Sequence, residues 1–102
     1  MNLEKKAMFR VAIQSTPDVD TWILQGRLAG PIVDELTMSW KNTRGDRRGR
    51  HCVIDLVDIT SVDTEGEIAL MEMMREGAQF VVRGVYTKVL LENLRERYKR
   101  EG

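Results

Sequence analysis

The sequence predicts an α/β domain with a four-stranded, mixed but mainly parallel sheet, its elements in the order β-β-α-β-α-β-α. Two observations carry most of this. Cys52-Val53-Ile54-Asp55-Leu56-Val57 is nearly continuous and β-branched, the mark of a central strand buried on both faces and usually parallel to its neighbours. Amphipathic stretches then alternate with short apolar ones, and each strand-helix-strand unit implies parallel pairing through a right-handed crossover.

Residues 8–14, MFRVAIQ, place Phe9, Val11 and Ile13 on one side of an extended chain, with Arg10 and Gln14 on the other. Ser15-Thr16-Pro17-Asp18 has turn chemistry, and TWILQ, residues 21–25, resumes as a second strand. The pair reads as a hairpin whose first strand is an edge. Gly26 and Gly30 bracket Arg27-Leu28-Ala29, and Pro31 opens a helix, where its missing N–H costs no bond. Val33, Leu36 and Trp40 form that helix's apolar stripe, and it should end near residues 42–45.

After a polar loop and the strand at 52–57, a second helix is expected from about Thr64 to Glu76. Ile68, Met71 and Met74 would face inward, and Gly77 would end it. Phe80-Val81-Val82 is the last strand. Val85 to about Arg97 is the last helix, with Val89, Leu90, Leu94 and Tyr98 on its inner side.

The 102 residues suit one domain, 1–102, with a single core. Hydrophobic residues at 42% and charged ones at 31% exclude a disordered chain. Sixteen basic and sixteen acidic side chains cancel, leaving no overall field to draw in nucleic acid. The lone cysteine, Cys52, cannot close an internal disulfide and fits a reducing compartment. The N-terminus has no apolar run suited to a signal peptide, and no stretch approaches the roughly 20 apolar residues that span a bilayer. The expected location is the cytoplasm.

Leu24-Gln25-Gly26-Arg27-Leu28-Ala29-Gly30 resembles the "L-x-G-x-L" segment that opens STAS domains, the fold of bacterial anti-sigma-factor antagonists. Residues 53–66, VIDLVDITSVDTEG, resemble that family's "V-x-D-L-S-x-V-x-x-I-D-S-S-G". The spacing holds from Gly26 through Gly66, and the later strand and helix fall where expected, so the resemblance covers essentially the whole chain. It implies helices packed on one face of the sheet and a regulatory role exerted by binding another protein. It also implies a serine, second in the "S-S-G" triplet, that a partner kinase phosphorylates. Glu65 stands at that position.

Around Glu65 the residues also have a structural reading. Thr64-x-x-Glu67 has the form of a capping box, with Thr64 accepting the Glu67 N–H. Asp63, Glu65 and Glu67 would lie near the positive end of the helix dipole, each worth about 0.3–1 kcal/mol. A phosphoserine brings about −1.5 to −2 charges, whereas a glutamate brings one that no kinase adds or removes. The domain is therefore expected not to switch at residue 65, acting as a constitutive binder or a fixed mimic of the phosphorylated state. Thr64 keeps a hydroxyl beside that position and is the alternative modification site, although capping would occupy its oxygen.

The segment 41–50, KNTRGDRRGR, holds five basic residues and one acidic, but no aromatic for base stacking, and reads as a solvated connector. His51 and Cys52, adjacent on a strand, face opposite sides, which argues against a shared metal or a nucleophilic pair. Asp55 is expected to accept backbone hydrogen bonds at the turn into the second helix, since no histidine or second carboxylate is spaced to make it a general base. Met71, Met73 and Met74 are expected to fill the core, any outward one offering an adaptable apolar contact.

These readings converge on a non-catalytic, protein-binding module with no cofactor and no metal. The expected contact residues are Leu28, Ala29 and Gly30 on one loop, with Ser61, Asp63, Thr64, Glu65 and Gly66 on the next. The resemblance implies an anti-sigma factor or a related signalling kinase or ATPase as partner. The cancelled charge and the lack of a spanning apolar stretch argue for neither nucleic acid nor membrane, and the domain is expected to be a monomer or weak homodimer. Two alternatives stand beside it. One is a nucleotide- or lipid-binding cleft at the carboxyl ends of the strands. The other is a dimerising scaffold that uses the edge strand at 8–14.

Overall fold

In the computed structural model, which describes residues 9–101, the two N-terminal strands form the expected hairpin, β1 (Phe9–Ser15) antiparallel to β2 (Val19–Leu28). Met8, where the predicted strand begins, lies outside the described residues. The Thr16 N–H donates to the Val19 carbonyl at 2.8 Å, and the Thr16 hydroxyl accepts the Val19 N–H at 3.1 Å, so the turn's own side chain satisfies it. The chain continues through α1 (Pro31–Asn42), a 3₁₀ turn (Arg44–Arg47), β3 (His51–Val62), α2 (Thr64–Arg75), β4 (Gln79–Val81) and α3 (Val85–Glu101). The sheet order is β1-β2-β3-β4, with β2, β3 and β4 parallel. Element order and fold class are those the sequence predicts.

Two strands run longer than their apolar segments. β2 extends well beyond residues 21–25, and β3 beyond 52–57, because each supplies the other's ladder: Arg27 pairs with Ser61 and Leu28 with Val62. Register shifts between Ile23 and Gln25, and again between Gly26 and Arg27, absorb the mismatch. Asp55 serves the first of these. Its carboxylate accepts the Val57 N–H at 2.9 Å, inside its own strand, and not at the turn into the helix as expected.

The helices cover one face of the sheet. Trp22 and Leu24 on β2, and Cys52, Ile54 and Leu56 on β3, are buried at alternate positions. The residues between them, Thr21, Ile23, Val53 and Asp55, are only half-buried. The expectation that β3 is buried on both faces is therefore wrong. A strand with helices on one side needs apolar residues on that side only, and the β-branched run fits the other by strand propensity.

The core centres on Trp22 and Trp40, whose rings meet edge to face at 5.3 Å. In α1 the predicted stripe of Val33, Leu36 and Trp40 is buried. The later helices are rotated relative to the reading from spacing. On α2, Met71 is buried but Ile68 is 43% exposed and Met74 half-buried, while Ala69, Leu70 and Met73 go inward. On α3, Val89 and Tyr98 are exposed, and Thr87 and Leu91 join Leu90 and Leu94 inside. Both helices carry apolar residues over more than half their circumference, so spacing alone does not fix which arc docks.

The arginine-rich connector is a latch and not a solvated loop. Arg47, 9% exposed, lays its guanidinium 3.5 Å from the centroid of the Trp40 ring. It also donates to the Trp40 carbonyl and, at 2.8 Å, to the Thr43 hydroxyl. Arg47 and Arg44 both pair with Glu76, at 3.2 and 2.6 Å, which ties the connector to the far end of α2. Arg50 donates to both carboxylate oxygens of Asp20, at 2.6 and 3.3 Å, and to the carbonyls of Thr16 and Pro17, closing the base of the hairpin. Three of the five cations are thereby neutralised or buried, and what remains is no phosphate-binding patch.

His51 is exposed and Cys52 buried, facing opposite ways as strand alternation requires. Burial pushes the Cys52 thiol above its ordinary pKa, so it packs as a small apolar side chain. No described helix is long and apolar enough to cross a membrane.

Candidate functional site

The carboxyl ends of the parallel strands lead into the three helices, so the starts of α1, α2 and α3 lie at one end of the sheet. Two of these junctions are joined. β2 runs into Ala29 and Gly30, and β3 runs through Ser61 and Val62 to Asp63. The Asp63 N–H donates to the Leu28 carbonyl at 3.1 Å, which carries the β2–β3 ladder one step past the strands.

Asp63 is the N-cap of α2, with extended backbone (φ −85°, ψ −179°). One carboxylate oxygen accepts the Gly66 N–H at 2.8 Å, satisfying an orphan donor of the helix. The other accepts the Gly30 N–H at 3.0 Å, reaching across to the neighbouring loop. These two N–H groups, with a lesser contribution from the nearby Arg27 charge, hold the Asp63 carboxyl below the usual aspartate range. The capping box expected from Thr64 and Glu67 does not form. Because β3 continues to Val62, the helix starts one residue before the position that box requires. Glu67 is released to pair with Arg97 of α3 at 2.7 Å.

Gly66 explains itself by contact. A Cβ there would lie 2.7 Å from the Leu28 carbonyl oxygen and 2.7 Å from Val62 Cγ1. Only glycine lets the first turn of α2 press against β2 and the end of β3. Gly30, the residue before α1, has φ +69°, a left-handed conformation that presents its N–H to Asp63 at little cost for a residue without a Cβ.

Of the predicted contact residues, then, Leu28 and Gly66 are buried and act as supports. Ser61 and Asp63 are half-buried, as is Ala29. Gly30, Thr64 and Glu65 are exposed and form the accessible lip. The sequence reading missed Arg27, exposed at the end of β2 and paired in register with Ser61, which sets one cation beside the Asp63 carboxylate. Its place two residues before Ala29 was the available signal. At the opposite end of the sheet, an open depression of about 400 Å³ lies between the hairpin and the connector, lined by Ile13, Ser15, Asp20, Trp22 and Arg50 among others. It is not the carboxyl-end cleft that a ligand-binding reading requires. Among the described residues no group of three histidine, cysteine or acidic side chains converges on a metal position.

No family model matches the sequence, and no curated protein matches it. Solved structures do. An anti-sigma-factor antagonist STAS domain from Rhodobacter sphaeroides superposes with a TM-score of 0.53 at 20% identity, over 78% of this chain and 89% of that one. An uncharacterized Shewanella loihica protein with a SpoIIAA-like fold gives 0.54 at 9% identity, over 78% and 70%. The protein Mglu gives 0.58 at 17% identity, over 78% of this chain and 20% of its own. At such identities the likeness concerns the backbone, and that backbone is the one described above: a hairpin-edged, four-stranded sheet with its helices on one side. The chain folds as a STAS-like domain.

Proposed function

We propose that this domain is a non-catalytic regulatory module that docks on another protein through the lip formed by Gly30, Thr64 and Glu65. The partner we assign is an anti-sigma factor or a related signalling kinase or ATPase, in a bacterial cytoplasm. The observation that supports this reading is the Asp63 bridge. By tying the Gly30 loop to the start of α2, it holds two exposed segments in one fixed arrangement before any partner arrives, which lowers the ordering cost of binding. Glu65 stands outward on that lip as a permanent anion, so docking there is not switched by phosphate at residue 65. Thr64 is the remaining modifiable position. Asp63 makes the cap in its place, which leaves Thr64 exposed.

The test is capture from the native host with tagged wild type, Glu65→Arg and Glu65→Ser. The same anti-sigma factor or ATPase should be retained by wild type and lost by Glu65→Arg, and Glu65→Ser should become a substrate when that partner is a kinase. Retention by Glu65→Arg, together with loss on changes at the opposite end of the sheet, would refute the lip as the contact. Intact-mass measurement of protein from the host reads Thr64 directly: an added phosphate that disappears in Thr64→Ala places the modification there.

A further inference from the structure

The two edges of the sheet are built differently. β4 is three residues long, a common way to blunt an edge. β1 is seven residues, FRVAIQS, pairs with β2 in unbroken register, and has neither proline, nor lysine, nor a bulge to turn away another strand. Arg10 is its only charge. On the helix side its apolar residues are left uncovered. Val11 is 43% and Ile13 49% exposed, above open depressions that run between β1 and α1 past Ile32, Leu36 and Trp22.

The backbone of this edge can be assigned. Thr16 gives its N–H to Val19, so Thr16 faces β2. By the alternation of an antiparallel ladder, Gln14, Ala12 and Arg10 also face β2, while Ser15, Ile13, Val11 and Phe9 turn their N–H and C=O groups outward. The outward backbone groups thus belong to the residues whose side chains stand uncovered on the helix side.

We propose that β1 pairs with β1 of a second copy, antiparallel about a two-fold axis at Ala12, to make one continuous sheet across two protomers. This register engages the whole strand. Phe9 faces Ser15 and Val11 faces Ile13 of the second copy as hydrogen-bonded pairs, which uses the outward backbone groups and sets Val11 against Ile13 on the helix side. On the open face Arg10 meets Gln14, so the strand's one charge never meets itself, and Ala12 meets Ala12 where the backbones approach most closely. A chemically unrelated strand would satisfy the same hydrogen bonds, but the self-pairing alone needs no other molecule to match the charge and the apolar pair. The contact is lateral to the lip at the strand ends, so a dimer carries two accessible lips, and this inference stands or falls independently of the proposed function.

Ala12→Cys tests the register. Ala12 becomes a non-hydrogen-bonded self-pair, whose Cα separation suits a disulfide, whereas Cys52 of the wild type is buried and serves as control. Mild oxidation should convert Ala12→Cys, but neither wild type nor Gln14→Cys, to a covalent dimer. Light scattering should give wild type twice the 11.8 kDa chain mass at high concentration. Ile13→Pro, which removes an outward-facing donor and spares the ladder to β2, should remain a monomer. A wild type that stays monomeric at every accessible concentration overturns the proposal. So does a dimer that Ala12→Cys fails to lock. Should Ile13→Pro fail to fold, the cross-linking result decides alone.

Discussion

Asp63 and Gly30, 33 residues apart, are joined by a 3.0 Å hydrogen bond from the Gly30 N–H to the Asp63 carboxylate. The same carboxylate caps α2 through Gly66, so one side chain fixes both a helix start and the loop beside it. Asp63→Ala should lower the melting temperature and speed amide exchange at Gly30 and Gly66 together. Asp63→Asn, which keeps one acceptor oxygen, should fall between it and wild type. Thr64→Ala should change little. A larger loss in Thr64→Ala than in Asp63→Ala would return the cap to Thr64.

Acid should weaken the contacts of three carboxylates, Asp63, Asp20 and Glu76. Asp63 is held below its ordinary value of 3.8 by the Gly30 and Gly66 N–H groups, and Asp20 below 3.8 chiefly by its hydrogen bonds from Arg50 and then Ser15. Glu76 is held below 4.5, chiefly by Arg44. In each case the unfolded chain takes up its proton at higher pH than the folded one. The stability contributed is fully present above the ordinary value and is lost as pH falls through the lowered one. The denaturant midpoint should hold steady above pH 4.5 and decline below it. Asp20→Asn should flatten that decline, and an acid limb unchanged by it would remove Asp20 from the account.

Gly66→Ala places a methyl group against the Leu28 carbonyl and Val62, both backed by the sheet. Forcing extra volume into such a contact costs about 1–3 kcal/mol. The loss should appear as a lowered unfolding midpoint with unchanged slope, and α2 should shift away from β2. A neutral Gly66→Ala would mean that the helix start adjusts freely.

Arg47→Ala should cost about 1–3 kcal/mol, because it empties the space over Trp40 and leaves Glu76 with Arg44 alone. Glu76→Gln should cost less, since the Arg47 guanidinium keeps its ring contact and its bonds to Trp40 and Thr43. A double-mutant cycle should show the two changes coupled. Additivity would refute the latch.

Most of the architecture was legible because it rests on local signals. Pro31 and Gly77 bound helices through fixed backbone geometry, and the alternation in residues 9–13 marks an edge strand, although Val11 and Ile13 stay exposed where the alternation suggested a half-buried face. What failed depended on pairing at a distance. Whether Asp63 or Thr64 caps α2 is decided by how far β3 extends, and that is set by β2 through Leu28. Both residues are good caps, so composition could not choose. The rotation of α2 and α3 follows from which neighbours they pack on, and apolar residues over more than half of each helix concealed it. Arg47 looked like solvated charge because a sequence does not show that the chain folds back seven residues later over Trp40. In the candidate site, Glu65 and Thr64 were singled out by position in a motif and are exposed, whereas the burial of Leu28 and Gly66 depends on packing between β2 and α2 that no local pattern shows.

The edge-to-face indoles have a practical corollary. They are the chain's two tryptophans, and both belong to the β2–α1 half of the core, with Arg47 seated on one of them. Tryptophan emission, excited where Tyr86 and Tyr98 of α3 do not absorb, is therefore a local gauge: it will register loosening of the hairpin and connector promptly, and stay nearly silent while α3 frays. An optical melt that disagrees with a far-ultraviolet one would, in this molecule, map where unfolding begins.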